Sequence, residues 1–154
     1  IIPSSVTSIG NYAFAENNKI PSVDIKGNPN GTTIGNYSFQ NVSNASSLNL
    51  GNVTSIGTNA FNNCASLSGK LTIPDSVKTL NSYAFSSCKN INEIEFSKNL
   101  EVIGYESFAN CTSLKKITIP DNIKTIENCA FENCSAVTEI ELGKGLTQLG
   151  TSNG

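Results

Sequence analysis

The sequence predicts a right-handed, strand-rich solenoid of six stacked coils. Three observations carry that prediction. Phe falls at 14, 39, 61, 85, 108 and 131, at spacings of 25, 22, 24, 23 and 23, and this column takes six of the seven Phe in the chain. An aliphatic residue stands five positions before each Phe: Ile9, Ile34, Ile56, Leu80, Ile103 and Ile126. Two apolar residues separated by one polar residue follow nine and eleven positions after most of the Phe, as in Val23/Ile25, Leu48/Leu50 and Ile117/Ile119. A self-similar period of this length marks coils that cannot bury their own apolar side and share a core by stacking.

Each coil opens on a short extended piece that carries the aliphatic column, and Leu149 continues that column into a seventh unit. The segment around each Phe is small and polar, with Ala13, Ser38, Ala60, Ala84, Ser107 or Ala130 just before the ring. It predicts a single helical or 3₁₀ turn on the convex side. Six positions past the Phe, Ile20, Ala45, Leu67, Ile91, Leu114 and Val137 extend the core. The apolar–polar–apolar doublet is a strand with two inward side chains and one outward. An extra residue in the third coil shifts its doublet to Leu71 and Ile73. Four residues beyond the strand, Val77, Leu100, Ile123 and Leu146 close the coil. The excess in residues 26–34, rich in Gly, Asn and Pro, predicts a loop bulging from one coil. Six strands spaced by about 4.8 Å predict a parallel sheet roughly 25–30 Å long.

Composition narrows the function. The 154 residues carry a net charge of −2, so no basic surface is available for nucleic acid or an acidic membrane. There is no His, Trp, Met or Arg, which removes a His base, a His metal ligand and an arginine clamp. No apolar run approaches the roughly 18 residues of a membrane span, and no cofactor is expected. The missing initiator Met and the ending Thr151-Ser152-Asn153-Gly154 predict that the single domain 1–154 is a piece of a longer protein. Neither end carries the polar cap that a solenoid needs, so further repeats or end-to-end contacts are expected.

Residues 114–122 read Leu-Lys-Lys-Ile-Thr-Ile-Pro-Asp-Asn, matching L-x-x-L-x-L-x-x-N, and residues 114–134 read L-x-x-I-x-I-P-x-x-I-K-x-I-x-x-x-A-F-x-x-C. The chain resembles the BspA-type leucine-rich repeat over six units. The resemblance implies a leucine-rich-repeat solenoid in a surface or secreted protein of adhesin type. The partner it implies is a protein or glycoprotein, host extracellular matrix included. The first two units depart most, with Asn17 and Val42 in place of Cys and Ala45 in place of Leu.

Cys64, Cys88, Cys111 and Cys134 share one column, three residues after Phe. Stacked strands would bring neighbours within disulfide reach, but parallel side chains aimed at the core predict buried thiols acting as small apolar fillers. A tetrahedral metal needs converging ligands rather than a ladder. Cys129 stands in the column of Tyr12, Tyr37 and Tyr83 and leaves a Cys129–Cys134 bridge conceivable. Without His, a catalytic thiol has no activating base.

Glu93 and Glu95 lie on one strand face, and Glu139 and Glu141 repeat them two coils on, with Lys116 and Thr118 between. Glu95 and Glu141 fall roughly 9–10 Å apart, inside the window of an inverting glycosidase pair. The same residues form a cross-strand charge ladder Glu93–Lys116–Glu139, which needs no pocket. The ladder is the reading adopted, so no enzyme is expected. The outward face of Asp24, Asn49, Thr72, Glu95, Thr118 and Glu141, flanked by Glu93, Lys116 and Glu139, is the candidate binding face, on the inner curve where solenoids bind partners. The tyrosines shield a corner or form an aromatic stripe. The alternatives to a binding module are a structural spacer and an appendage that brings a surface hydrolase to its substrate.

Overall fold

Among the described residues, twelve other than glycine adopt the left-handed conformation, and they form two columns. One lies two residues before each column Phe (Tyr12, Tyr37, Asn59, Tyr83, Glu106, Cys129) and the other two residues after it (Glu16, Asn41, Asn63, Ser87, Asn110, Asn133). The computed structural model describes residues 1–150, so the sequence ending at 151–154 lies outside the described residues. Among the described residues no helix forms. The expected helical turn is instead a run of tight turns, because a left-handed residue on each side of the Phe breaks any right-handed run. Between these turns the backbone reaches the next coil: Phe39 N–H donates to Ala60 O (2.8 Å), Phe61 to Ala84 O (2.9 Å) and Phe108 to Ala130 O (2.8 Å).

The strands fall into two columns. One is a continuous parallel sheet of seven: β1 (Ser8–Ile9), β3 (Thr32–Ile34), β5 (Val53–Ile56), β7 (Thr79–Leu80), β9 (Val102–Ile103), β11 (Thr125–Ile126) and β13 (Gln148–Leu149). The other holds the expected apolar doublets: β2 (Ser22–Asp24), β4 (Ser47–Asn49), β6 (Ser68–Thr72), β8 (Asn90–Glu95), β10 (Lys116–Thr118) and β12 (Glu139–Glu141). This second column does not form the single sheet expected from the sequence. It splits into three parallel pairs, β2–β4, β6–β8 and β10–β12. The seam between β4 and β6 coincides with the extra residue of coil three, where Gly69 takes a φ of +78° and the register shifts between Gly69 and Lys70. Gly suits this bulge because it enters the left-handed region without a Cβ clash. The seam between β8 and β10 coincides with Phe96, which replaces the Ile or Leu of its column and packs edge-on against Phe108 at 5.9 Å.

The core runs up the middle. The six column rings stack with centroids 5.1–5.7 Å apart and planes within 14° of parallel. Phe39, Phe61, Phe85 and Phe108 are buried, whereas Phe14, in the first coil, is 36% exposed. The loop of 26–34 bulges as expected. Gly27 and Gly31 are left-handed there, and a Cβ on Gly27 would lie 2.3 Å from Asn52 N. Thr32, buried, donates to Val6 O (2.9 Å) and receives the Asn28 N–H (3.1 Å), which ties the loop down.

Candidate functional site

The strand face is built by register. In a parallel pair, each residue faces its partner across the strand gap and alternate side chains share a face. Lys70 pairs with Glu93 and Thr72 with Glu95. Lys116 pairs with Glu139 and Thr118 with Glu141. The result is the same clasp twice, 46 residues apart from Lys70 to Lys116. Lys70 Nζ lies 3.1 Å from Glu95 Oε2 and 3.5 Å from Glu93 Oε1, and Thr72 Oγ1 donates to Glu95 Oε2 at 3.1 Å. Lys116 Nζ lies 2.9 Å from Glu141 Oε1 and 3.0 Å from Glu139 Oε1, and Thr118 Oγ1 donates to Glu141 Oε2 at 3.3 Å. In the first pair Asn49 Nδ2 donates to Asp24 Oδ1 at 2.9 Å, and Lys26 Nζ sits 2.7 Å from Asp24.

The ladder expected from the sequence is therefore half right. Lys116 meets Glu139, but Glu93 turns to Lys70, because β8 is hydrogen-bonded to β6 and not to β10. A cleft of about 500 Å³, bordered by Glu93, Ile94, Lys115 and Lys116, lies between β8 and β10. A sequence period counted one coil at a time misses this pairing. The signal that finds it is the recurrence of Lys-x-Thr-Ile-Pro-Asp at 70–75 and 116–121, each followed one coil later by Glu-Ile-Glu.

Electrostatics follow the clasps. Lys70 and then Thr72 hold the Glu95 carboxyl below the usual range, and Lys116 does the same for Glu141. Glu95 in turn raises Lys70, and Glu141 raises Lys116. A glycosidase acid needs the opposite shift, a carboxyl kept protonated near neutral pH. Glu95 and Glu141 are both shifted the other way, so neither suits the acid of such a pair. Among the described residues no three Cys, Asp or Glu converge to hold a metal ion.

The thiol column lies in the core. Cys64, Cys88 and Cys111 are buried, and each Sγ–H donates to the carbonyl of the preceding coil's column residue, Phe39 O (3.1 Å), Phe61 O (3.2 Å) and Phe85 O (3.5 Å). Burial pushes Cys64 and Cys111 up to about 12 and Cys88 well above its ordinary value. Cys129 is exposed and Cys134 half-buried, and both are free thiols, so the conceivable bridge is not formed. Tyr12 and Tyr37 stack at 4.8 Å, but Asn59 interrupts the column before Tyr83, which meets Tyr105 edge-on at 5.3 Å. The tyrosines form two pairs rather than one stripe.

The repeat signature, the strand-and-turn coil and the shared core together decide the family. A family model described as "BspA type Leucine rich repeat region (6 copies)" matches residues 1–70 and 54–153. The chain belongs to the BspA-type leucine-rich-repeat family. Its fold is similar to that of a leucine-rich repeat protein from Bacteroides ovatus, at 29% identity and a TM-score of 0.87, over 97% of this chain and 38% of that one. It is also similar to one from Eubacterium ventriosum (18% identity, TM-score 0.70, 97% of this chain and 56% of that one). The leucine-rich repeat protein of T. pallidum aligns at 20% identity and a TM-score of 0.68, over 93% of this chain and 77% of its own. No curated protein matches the sequence. BspA-type repeats are generally non-enzymatic, protein-interaction modules. Among the described residues no helix is long and apolar enough to cross a membrane.

Proposed function

We propose that this BspA-type chain is the binding part of a cell-surface or secreted adhesin-like protein. Its strand face would meet a protein or glycoprotein partner, host extracellular matrix included. The observation that carries the reading is the ordered face itself. Each strand pair presents a row of charged or amide side chains set by register, on a scaffold whose core fixes their spacing. The chain spans 38% of the Bacteroides ovatus protein it resembles, and we read it as a stretch of a longer array.

Antibodies raised against the chain test the location. Labelling of intact cells that brief protease treatment removes supports it, and labelling only after permeabilisation overturns it. A panel of immobilised matrix glycoproteins then tests the face. The parent chain should bind at least one, and Lys70→Glu with Lys116→Glu should lose that binding. A second reading, an inert spacer, is favoured by one observation: the lysines on this face are already neutralised by their own glutamates. Failure of the whole panel with a correctly located protein would favour the spacer.

A further inference from the structure

A polar pocket of about 380 Å³ opens at the C-terminal ends of β4, β6 and β8, across the seam between β4 and β6 where the strand column is interrupted. That volume falls in the range of small-ligand sites. Phe96, the one Phe outside the stacked spine, lines it beside the Pro74 ring, with Asn52, Asp75, Ser76, Glu95 and Lys98 around them.

Charge comes first. Glu95 pairs with Lys70 at 3.1 Å, a lysine it shares with Glu93 at 3.5 Å, and Asp75 pairs with Lys98 at 3.3 Å. A charged ligand would have to break an existing pair, so a neutral one fits better. Hydrogen-bonding capacity comes next. Glu95 Oε2 takes the Lys70 and Thr72 contacts, and among the described residues Oε1 carries no hydrogen bond. Ser76 Oγ spends its proton on Val53 O and keeps its lone pairs. Asn52 Nδ2 donates to Asn28 O, and among the described residues its Oδ1 accepts no hydrogen bond. Lys98 Nζ has one carboxylate partner and further N–H groups to offer. The pocket thus combines several acceptors with a donor. Phe96 and Pro74 add an apolar side on which C–H groups can pack.

We infer that this seam pocket binds a single neutral sugar ring, a hexose-type residue of a glycan. Vicinal hydroxyls both give and take hydrogen bonds, and the C–H face of the ring suits Phe96. The inference deepens the proposed binding function and rests on it for the source of the glycan, but the site stands on its own residues. The next coil pair is a built-in comparison. Asp121, Glu141 and Lys144 repeat Asp75, Glu95 and Lys98, but Leu142 stands where Phe96 does.

The test is an amide NMR titration of the 154-residue chain with the methyl glycosides of glucose, galactose, mannose and N-acetylglucosamine. At least one should shift amides confined to residues 51–52, 72–76 and 95–98. Phe96→Leu copies Leu142 of the equivalent coil, so its fold is provided for within the chain. It and Glu95→Gln should each weaken that binding about fivefold or more, while Lys144→Gln, at the position equivalent to Lys98, titrates like the parent. No shift with any glycoside at tens of millimolar overturns the inference, as do shifts that Phe96→Leu and Glu95→Gln leave unchanged. A chain that binds the glycoprotein panel but no glycoside loses this inference and keeps the proposed function. A chain that binds a glycoside but no panel member keeps the pocket and loses its assignment to those partners.

Discussion

Phe108 lies between Phe85 and Phe131, at centroid distances of 5.7 and 5.4 Å, and is fully buried. Phe108→Ala should cost about 3–5 kcal/mol in urea unfolding, and a loss below about 1 kcal/mol would show that the spine does not carry the core. Phe14→Ala should cost less, because that ring is 36% exposed. Ser107 gives the opposite sign. Among the described residues its buried Oγ has no hydrogen-bond partner, in a column where other coils have Ala60, Ala84 and Ala130. Ser107→Ala should therefore stabilise the chain by about 1 kcal/mol, and destabilisation would mean that the hydroxyl has a partner. For the thiols, Cys129 should react with a thiol reagent in the native chain well before Cys64, Cys88 or Cys111, which the core shields. Equal rates at Cys129 and Cys88 would mean that the core opens readily. Burial was legible from the column spacing. The left-handed residues were not, since Tyr, Glu, Ser and Cys share those columns with Asn and no residue type marks the conformation. Asn commonly bonds its own nearby backbone in turns. Many asparagines instead bridge coils, as Asn63 Nδ2 does to Asn41 Oδ1 (2.8 Å) and Asn81 Nδ2 to Ile56 O (2.6 Å).

Within the strand elements, the clasps sit in solvent and should set the face rather than the stability. Lys116→Gln should leave the thermal midpoint nearly unchanged. A drop matching that of Phe108→Ala would make the clasp structural. The pH dependence follows from the signs of the shifts. Glu95 and Glu141 are lowered, so their contribution is present above the ordinary carboxylate range and fades as pH falls through their lowered values. The buried thiols act at the other end. Their folded values are raised, so above about 9 the unfolded chain loses protons that the folded chain keeps. Stability to urea should fall between pH 9 and 11, and Cys88→Ala should flatten that fall. An unchanged slope would show the column to be wet. The sequence made the strands and their outward residues plain, but not which strands pair. That depends on one inserted residue at Gly69, which the apolar pattern shows, and one oversized side chain at Phe96, and neither tells which neighbour a strand bonds.

At the scale of the whole molecule, each coil touches only its neighbours, so order should decay from the middle outward. Amide exchange should be slowest in β5, β7 and β9 and fastest in β1 and β13. Uniform protection would mean one all-or-none unit instead. Repeat number, core columns and family were readable because every coil repeats the same few constraints. The pocket at the β4–β6 seam was not, because residues of three different coils build it and its Phe96 looked like one more core position.

The pairing of coils has a consequence for how such an array can lengthen. Copying one coil in the gene would set Glu-Ile-Glu beside Glu-Ile-Glu, placing like charges directly across a strand pair. Copying 46 residues, as from Lys70 to Lys116, returns each lysine to its glutamates. Duplication in even steps therefore keeps the charge pairing of the face, and where that face is selected a gene compared between strains should gain or lose these coils two at a time.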